Sequence, residues 1–546
     1  MARRGEGATG ARRHWKQYRR LSKLAETGDR ARAEAGLRQL LAQPLLPKQL
    51  IALCHNDLAV VAALRGAESE SRQHLESALS ADPECQAALA NRERLPQPAG
   101  AEGGANASPP RPPRVAIVSL LFNWQLSSAG GGCVHTLGVG EALAGAGCEV
   151  KHFYARCPEA AVGRVEAPYP LAGEAIDFDR GSWRRDIITH RFRAAVERFA
   201  PDLVIVTDAW SFKPHLAEAM QGWPIWLRFD SQECLCPLNN CRFLVDSDGL
   251  VRQCPYHQLA RPEVCRECLD RRGQASGPFH RMERELSGVT DPGYMEVLQR
   301  SLEAARAVLV VNPLVKEMIS PCAGEVHVVP PGVDAGRFPP ELAAPREMRK
   351  RPYTIFMAGV VEEPFKGFNV LHHACQMLWQ RRRDFRLVAT GQAAGRVDEF
   401  TEFTGWIPQH RLPQYYSEAD ICVVPSLVQE GWPIVAVEGM AAGRPVVASR
   451  IGGLQFLVRD GATGLLSTPG DGAELCARLD DLLSDRERRR ALGRGGREWF
   501  EQEGSWERVI LRYYRSLLTD LGPAAGGRDS SERGRAQKQC ALTLDI

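Results

Sequence analysis

The sequence predicts an α/β protein in which two doubly wound, Rossmann-like domains face a cleft, preceded by a small all-α repeat segment. Short apolar runs rich in β-branched residues alternate with helical stretches, which is typical of parallel sheets with crossover helices. The alternation occurs in two consecutive series of similar size, and two such units place a cleft between them. Ahead of both series, apolar residues recur at three- and four-residue steps, which indicates helices alone.

The composition is that of a globular protein and excludes several other classes. Of the 546 residues, 44% are apolar and 25% are charged, which is ordinary for a globular chain. The formal net charge of +3 gives no sign of a nucleic-acid binder, because such domains carry a strongly basic face. The basic start is not followed by the apolar core of a secretory signal, and no apolar stretch is long enough for a membrane span. We therefore expect a cytoplasmic protein with no transmembrane segment and no nucleic-acid partner.

The N-terminal part of the chain is predicted to be helical. Residues 1–13 are predicted to be a disordered tail, and residues 14–95 a tetratricopeptide-like helical segment, because the pattern within 56–83 resembles one such repeat. This segment would dock a protein partner or a second copy of the chain, or it would only cap the neighbouring domain. Both alternatives stay open, since two repeats fall short of the about three that stack stably. Residues 96–113 are rich in Pro, Gly and Ala and are predicted to be a linker.

The first α/β series defines an N-terminal domain over residues 114–337. A glycine-rich turn and a helical stretch follow its first strand, and a cysteine-rich insertion, residues 231–285, interrupts the series. The strands are predicted within RVAIVSLLF, CEVKHFYA, DLVIVTDAW, PIWLRFD, AVLVVN and VHVVPPG.

The second α/β series defines a C-terminal domain over residues 338–521. The helical segment SWERVILRYYRSLLTDL closes it, and residues 522–546 are predicted to be a disordered tail. The strands are predicted within TIFMAGVV, FRLVATG, ICVVPS, PVVAS and TGLLSTP.

The most informative stretch, residues 425–471, contains two glutamates at the start of one helix. The helix is predicted to begin at Pro433 and to end at Gly443, so Glu430 lies in the loop before it and Glu438 about a turn and a half inside it. The free N–H groups at such a helix start form a site for a diphosphate. Because carboxylates would repel an anion, these two are expected to contact the neutral hydroxyls of a nucleotide sugar.

This stretch resembles the nucleotide-sugar site of the retaining family-4 glycosyltransferases, which have the two-domain GT-B fold. The resemblance rests on P-S-x-x-x-E-G-x-P, E-x-M-A-A-G-x-P-V-V-A-S and D-G-x-T-G-L-L, with further matches in PPGVDAGRF, in the Lys366-Gly367 pair and in the glycines 130–132. It covers about 113–520, and the C-terminal half is much the closer match. The glutamate spacing alone would be a weak signal, but in this setting it is strong.

The resemblance implies a retaining, metal-independent hexosyltransferase that uses a nucleotide-diphosphate sugar and a glycan, lipid-linked or other hydroxyl acceptor. In such an enzyme a lysine and a helix N-terminus stabilise the charge that develops on the departing diphosphate, and no protein nucleophile is needed. The alternatives are a non-catalytic interaction protein on a degenerate fold and a nucleotide-sugar epimerase. The residues implied as catalytic are Glu430 and Lys366, and those implied in donor binding are Gly131, Gly132, Lys366, Gly431 and Glu438.

Three positions depart from the family pattern. Val360 stands where an arginine usually follows the glycine of the preceding strand, and Phe456 stands where a Gly-Gly-x-x-Glu motif would have its glutamate. After the strand DLVIVT the chain offers Asp208 rather than a histidine, and the next histidine is His215. We therefore expect no catalytic histidine.

The insertion contains six cysteines, at positions 234, 236, 241, 254, 265 and 268. Cys265 and Cys268 form a C-x2-C pair, and Cys236 and Cys254 can supply a second pair, which fits a structural zinc site. A site of three cysteines with His257, an iron–sulfur cluster and unliganded thiols are the alternatives, since the same ligands serve several purposes. A second hypothesis gives the insertion a part in acceptor recognition.

Overall fold

The computed structural model describes residues 14–519 except 16, 19, 25–29, 42, 44, 45, 65, 66, 84, 95–110, 125–130, 167, 274–277, 344–351 and 393–397. The predicted tails, 1–13 and 522–546, and most of the predicted linker lie outside these residues. The chain forms two compact units, residues 1–109 and residues 110–546.

The first unit is built from helices whose apolar faces pack on one another. One cluster packs Leu21 against buried leucines and Cys54 within residues 37–58, and a second cluster is built from small residues such as Ala52, Ala59 and Ala78. The helix pair predicted from the repeat pattern is present, whereas its docking role stays a prediction. The helices are α1 (Arg30–Leu41), α2 (Lys48–Leu64), α3 (Glu68–Ala81) and α4 (Gln86–Arg94).

The second unit contains a seven-stranded sheet in its N-terminal half. Its strands run parallel in the order β3-β2-β1-β4-β5-β8-β9, so the order reverses between β1 and β4. The buried faces of these strands are dominated by Val, Ile, Leu and Phe, as expected for a sheet covered by helices on both sides. The strands are β1 (Arg114–Ser119), β2 (Glu149–Arg156), β3 (Ala172–Asp177), β4 (Leu203–Thr207), β5 (Ile225–Phe229), β8 (Ala307–Val310) and β9 (Val326–Val328).

The C-terminal half of this unit contains a six-stranded parallel sheet in the order β12-β11-β10-β13-β14-β15. Its order reverses between β10 and β13, and ligands of open α/β sheets bind at such reversal points. The strands are β10 (Tyr353–Met357), β11 (Phe385–Ala389), β12 (Thr401–Phe403), β13 (Ile421–Val424), β14 (Val446–Ser449) and β15 (Gly464–Ser467).

A short antiparallel hairpin, β6 (Phe243–Val245) and β7 (Val251–Gln253), lies in the cysteine-rich insertion. The α-helices of this unit cover the sheets. They are α5 (Gly131–Gly145), α6 (Arg185–Phe199), α7 (Lys213–Ala219), α8 (Pro262–Arg272), α9 (Pro278–Ser287), α10 (Tyr294–Ala304), α11 (Pro313–Ile319), α12 (Pro340–Ala343), α13 (Phe368–Trp379), α14 (Leu412–Glu418), α15 (Ile434–Ala441), α16 (Leu454–Leu457), α17 (Gly472–Ser484), α18 (Arg486–Trp499), α19 (Trp506–Val509) and α20 (Arg515–Thr519).

The C-terminal segment returns to the first sheet. Val509, Ile510 and Tyr514 belong to the same buried cluster as residues of β1 and β4. Trp506 packs so closely on α5 that a Cβ at Gly138 would lie 2.3 Å from the indole Nε1. The last helices therefore tie the two sheets into one unit.

The predicted fold class is confirmed: two Rossmann-like sheets follow a helical region. The sequence did not predict β3, β12 or the hairpin β6–β7. The strand AGEAID has no run of β-branched residues, and the other three strands have only three residues each, so none gives a clear strand signal. Across the described residues, no helix combines the length and the apolar character needed to cross a bilayer.

Candidate active site

The candidate active site is a cavity of about 350 Å³ between the two Rossmann-like domains. It lies at the carboxyl ends of the strands, where both sheets reverse their order. The residues from the first domain are Gly131, Gly132, Val134, His135, Asp230, Ser231, Cys241 and Pro331. Those from the second domain include Val360, Glu363, Lys366, Thr390, Glu430, Gly431, Trp432, Ile434 and Glu438.

On the first domain, the start of α5 faces this cavity. Gly131 and Gly132 are its first two residues, and Gly130 lies outside the described residues. A Cβ at Gly131 would meet no protein atom within 4 Å, whereas one at Gly132 would lie 3.0 Å from Asp208 Oδ1. The first turn of α5 therefore presents bare backbone N–H groups to the cavity, which suits an anion.

On the second domain, Lys366 and Glu430 form an ion pair. The Lys366 ammonium donates to Glu430 Oε2, and the Ser426 hydroxyl donates to the other carboxylate oxygen. Burial by itself lowers the pKa of Lys366, but the attraction of Glu430 outweighs it and raises this pKa above its ordinary value. The lysine is therefore a fixed positive charge at the cavity wall.

Glu438 lies on α15, one turn behind the helix start, and its side chain is 3% exposed. Its carboxylate is 3.0 Å from the guanidinium of Arg337. Burial raises the pKa of Glu438, and Arg337 opposes that rise. Arg337 lies in the PPGVDAGRF match, but the sequence pattern did not identify it as a site residue. The helix begins at Ile434, one residue after the predicted start, and Gly443 follows it with φ +66°.

A buried polar network supports the first-domain wall of the cavity. His135 Nδ1 is 2.6 Å from Asp230 Oδ1, and Arg228 is 2.8 Å from the same oxygen. Burial and the nearby Arg228 lower the pKa of His135 to about 4, so this imidazole is neutral at pH 7. Behind this pair, the hydroxyl of Thr136 donates to Asp208 at 2.6 Å. Burial and the charge of Asp230 raise the pKa of Asp208 to about 7.

The loop that carries Glu430 is attached to the first domain. Asn312 Nδ2 donates to the Gly431 carbonyl at 2.7 Å. Gln232 Nε2 donates to the Gln429 carbonyl at 2.5 Å, and the Gln429 N–H donates to Gln253 Oε1 at 2.6 Å. We call these three hydrogen bonds the loop clasp. They attach the two neighbours of Glu430 in the chain, Gln429 and Gly431, to the first domain.

The departures from the family pattern are visible at the site. Val360 lines the cavity, so Lys366 is the cation nearest to Glu430 among the described cavity residues. Phe456 is 41% exposed and does not line the cavity. His215 does not line it either, because its Nε2 contacts the Ser287 carbonyl at 2.7 Å elsewhere in the domain. Asp208 is buried behind Gly132.

The six cysteines of the insertion separate into two groups. Cys241 lines the active-site cavity, and Cys234 contacts the Trp210 carbonyl at 3.0 Å. Within the described residues, no three His, Cys, Asp or Glu side chains already form a metal-binding group. A second cavity, of about 500 Å³, is lined by the remaining four cysteines, which do not form a coordination shell; they are Cys236, Cys254, Cys265 and Cys268.

Sequence comparisons relate parts of this chain to known proteins, and the family match lies in the second domain. The family model described as Glycosyl transferases group 1 matches residues 351–485. The GDP-mannose-dependent alpha-(1-6)-phosphatidylinositol monomannoside mannosyltransferase of Mycobacterium tuberculosis is 31% identical over 222 residues, 36% of this chain and 57% of the relative. The D-inositol 3-phosphate glycosyltransferase of Nocardia farcinica is 36% identical over 189 residues, 31% of this chain and 42% of the relative. The chain thus spans about half the length of these curated relatives.

Solved structures with the same architecture share little sequence with this chain. The sucrose-phosphate synthase of Thermosynechococcus elongatus gives a TM-score of 0.51 at 21% identity, over 75% of this chain and 100% of that one. HepE of Anabaena in complex with UDP gives a TM-score of 0.51 at 14% identity, over 74% of this chain and 100% of that one. These likenesses show the GT-B fold.

Proposed function

We propose that this protein is a retaining glycosyltransferase that moves a hexose from a nucleotide-diphosphate sugar to a hydroxyl acceptor. The observation that carries the proposal is the placement of Lys366, paired with Glu430, across one cavity from the bare start of α5. The match of residues 351–485 to the group 1 glycosyltransferase model supports it. A relative that depends on GDP-mannose and a structural neighbour in complex with UDP-glucose make these two nucleotide sugars the donors to test.

We infer one orientation of the donor in the cavity from the charges of its wall. The diphosphate would lie between the N–H groups of Gly131 and Gly132 and the ammonium of Lys366, because these are the positive groups of the cavity wall. Glu438, deep on α15, would hold ribose hydroxyls, with Arg337 fixing its carboxylate. The hexose would then extend towards Glu430 and the opening between the domains.

Transfer requires that the anomeric C–O bond breaks while the acceptor oxygen bonds to the same carbon. Negative charge develops on the departing diphosphate, and Lys366 with the α5 start stabilises it. Once the diphosphate takes the ammonium, Glu430 is released to hydrogen-bond sugar hydroxyls. The acceptor arrives on the face that the diphosphate leaves, which retains the anomeric configuration. The acceptor proton leaves with the nucleotide diphosphate, so atoms and charge balance.

Donor binding is tested with the purified full chain and a thermal-shift panel of UDP, GDP, UDP-glucose and GDP-mannose. A ligand that binds only the folded state raises the melting temperature. We expect one nucleotide to do so, and Lys366→Ala to abolish the shift. Lys316→Ala is the matched control, because Lys316 lies on α11 outside the cavity.

Catalysis is tested by following slow hydrolysis of the donor that binds. Loss of about 3 kcal/mol of transition-state stabilisation in Glu430→Gln would slow it on the order of 100-fold. The anomeric configuration of the released sugar, read early by NMR, reports retention or inversion. Absence of binding by every nucleotide would favour the non-catalytic alternative, in which the helical unit carries the function.

Two wider assignments belong to the same proposal. The cysteines of the described residues are all free thiols, which suits a reducing, cytoplasmic compartment.

The helical unit would dock a protein partner or a second copy of the chain and so select the acceptor. Light scattering of the full chain tests self-association.

A further inference from the structure

We propose that Cys236, Cys254, Cys265 and Cys268 bind one Zn²⁺ ion, and that this ion fixes the hairpin β6–β7 against the loop that carries Glu430. The metal site stands independently of the proposed function. What a fixed loop would do for sugar transfer rests on the proposed function. The metal site and its effect on the loop are therefore tested by different measurements.

Three separate segments bring the four thiols to one cavity. Cys265 and Cys268 are three residues apart on α8, so both face the same side of the helix. Cys236 follows β5, and Cys254 follows β7 directly. Among the described residues, the cavity wall contains no Asp, Glu or His, and its cysteines supply four sulfur ligands. Tetrahedral sites with four thiolates are typical of structural zinc.

The thiols surround more space than a bound ion needs. The cavity measures about 500 Å³, whereas zinc–sulfur bonds are about 2.3 Å long. Metal binding would therefore draw the hairpin and α8 together. Hydrogen bonds already join these parts: Arg272 on α8 donates to the Val245 carbonyl on β6 at 2.9 Å. A further hydrogen bond joins the segment of Cys236 to the segment of Cys254. The backbone N–H of Gln258, which follows Cys254, donates to the carbonyl of Leu235, the neighbour of Cys236, at 2.9 Å.

Charge at this site favours a metal bound by four thiolates. Such a centre carries a net charge of −2, which is costly in a partly buried position unless cations offset it. Arg271 and Arg272 line the cavity, and the charges of Cys236, Cys254 and Cys265 act on the pKa of the buried Arg242. Three guanidinium groups therefore lie near the four thiols, although Arg271 also pairs with Glu267 and Arg272 donates to the Val245 carbonyl.

The hairpin connects this cavity to the active site. Gln253 precedes Cys254 in the chain and accepts the N–H of Gln429 in the loop clasp at 2.6 Å. At the same end of the hairpin, where Phe243 pairs with Gln253, the Phe243 ring lies 5.1 Å from the ring of Phe365, the neighbour of Lys366. A metal that fixes Cys254 therefore restrains the residues on either side of the Glu430–Lys366 pair.

The metal is tested by elemental analysis of the purified full chain. We expect about one zinc per chain, as for a structural site, and loss of most of it in Cys268→Ser and Cys254→Ser. Cys322→Ser is the control, because Cys322 is a free, partly buried thiol outside the insertion. Replacement by Co²⁺ should give the intense sulfur-to-metal charge-transfer absorption of thiolate ligands. A chain without zinc that binds no Co²⁺, or one that holds iron and sulfide instead, overturns the metal assignment.

The connection to the loop is tested by hydrogen exchange of residues 426–432. We expect faster exchange when zinc is removed from the wild-type chain by a chelator, and recovery when zinc is added back. This reversible arm does not depend on a serine variant that folds. Gln253→Ala should speed exchange in the same segment while its zinc content stays at the wild-type level. Unchanged exchange on zinc removal overturns the connection, even if no nucleotide ever binds.

Discussion

Lys366 with Glu430, and Arg337 with Glu438, are ion pairs that line or adjoin one cavity. The carboxylates of Glu430 and Glu438 are therefore oriented before a ligand binds. In the proposed function, an incoming diphosphate would compete with Glu430 for Lys366, whereas neutral ribose hydroxyls would join the pair of Arg337 and Glu438 without displacing it. The two ion pairs are therefore proposed to set which part of a nucleotide sugar each carboxylate receives.

Arg337 is predicted to be required for stability as well as for binding. Removing it leaves Glu438, 3% exposed, as a buried charge without its partner, which costs about 3 kcal/mol. We expect Arg337→Met to lower the free energy of unfolding in urea by about that amount. The double variant Arg337→Met with Glu438→Gln should recover most of the loss. Equal stability of wild type and Arg337→Met would contradict the prediction.

Asp208 is predicted to make stability fall as the pH rises. Its pKa is about 7 in the folded chain, against about 3.9 when unfolded, so the folded chain holds an extra proton between pH 4 and 7. Stability then decreases across that window in the wild type relative to Asp208→Asn.

The pH experiment compares urea unfolding of Asp208→Asn and wild type at several pH values. The lowered pKa of His135 acts in the opposite direction below pH 6.5, but it is common to both chains and cancels in the difference. A difference that stays constant from pH 4 to 7 would refute the assignment.

At the scale of elements, the starts of two helices and one loop meet across the cleft. Helix α5 comes from the first domain, and α15 follows the Glu430 loop of the second. The loop clasp keeps that loop against the first domain. The approach is close: a Cβ at Gly431 would lie 2.3 Å from the Asp230 carbonyl oxygen. A side chain at this position would therefore separate the elements that form the cavity.

Gly431→Ala is predicted to weaken nucleotide binding by at least about tenfold, the effect of losing about 1.4 kcal/mol, because the loop must move away from Asp230. Calorimetric titration with the nucleotide found in the thermal-shift panel measures it. Gly324→Ala is the matched control, since a Cβ there meets nothing within 4 Å. Wild-type affinity in Gly431→Ala would show that the clasp is not needed for binding.

At the scale of the whole molecule, each compact unit has its own buried clusters. Among the described residues, the clusters of the helical unit are built from residues before 95, and those of the larger unit from residues after 110. Within the larger unit, the C-terminal helices close the first sheet through Trp506 and Tyr514. The α/β unit therefore needs its own C-terminus to complete its core.

A chain of residues 110–546 is predicted to fold and to bind nucleotide like the full chain, because its core is complete. The helical unit alone, 1–109, is predicted to be marginally stable, since it falls short of about three repeats. Thermal unfolding and nucleotide titration of both fragments measure this. Failure of 110–546 to fold would show that the helical unit contributes to the α/β core.

The sequence by itself determined the elements and the motif around Glu430. Periodic apolar residues, Pro433 and Gly443 are local signals, so the strands next to the cavity and the helix α15 could be predicted to within a residue or two. Short strands such as β12 were missed because three residues give no periodicity.

Only the tertiary structure decided which side chains meet. Lys366 and Glu430 are 64 residues apart, and their pairing depends on the strand order of the second sheet. Arg337 lies in the PPGVDAGRF match, but its pairing with Glu438 could not be read from that match, and the roles of His135 and Asp230 arise from partners on other strands and helices. The hydrogen bond from Asn312 to Gly431 and the close approach of Gly431 to Asp230 depend on how the two domains pack against each other. That packing follows from the whole unit and not from any one segment.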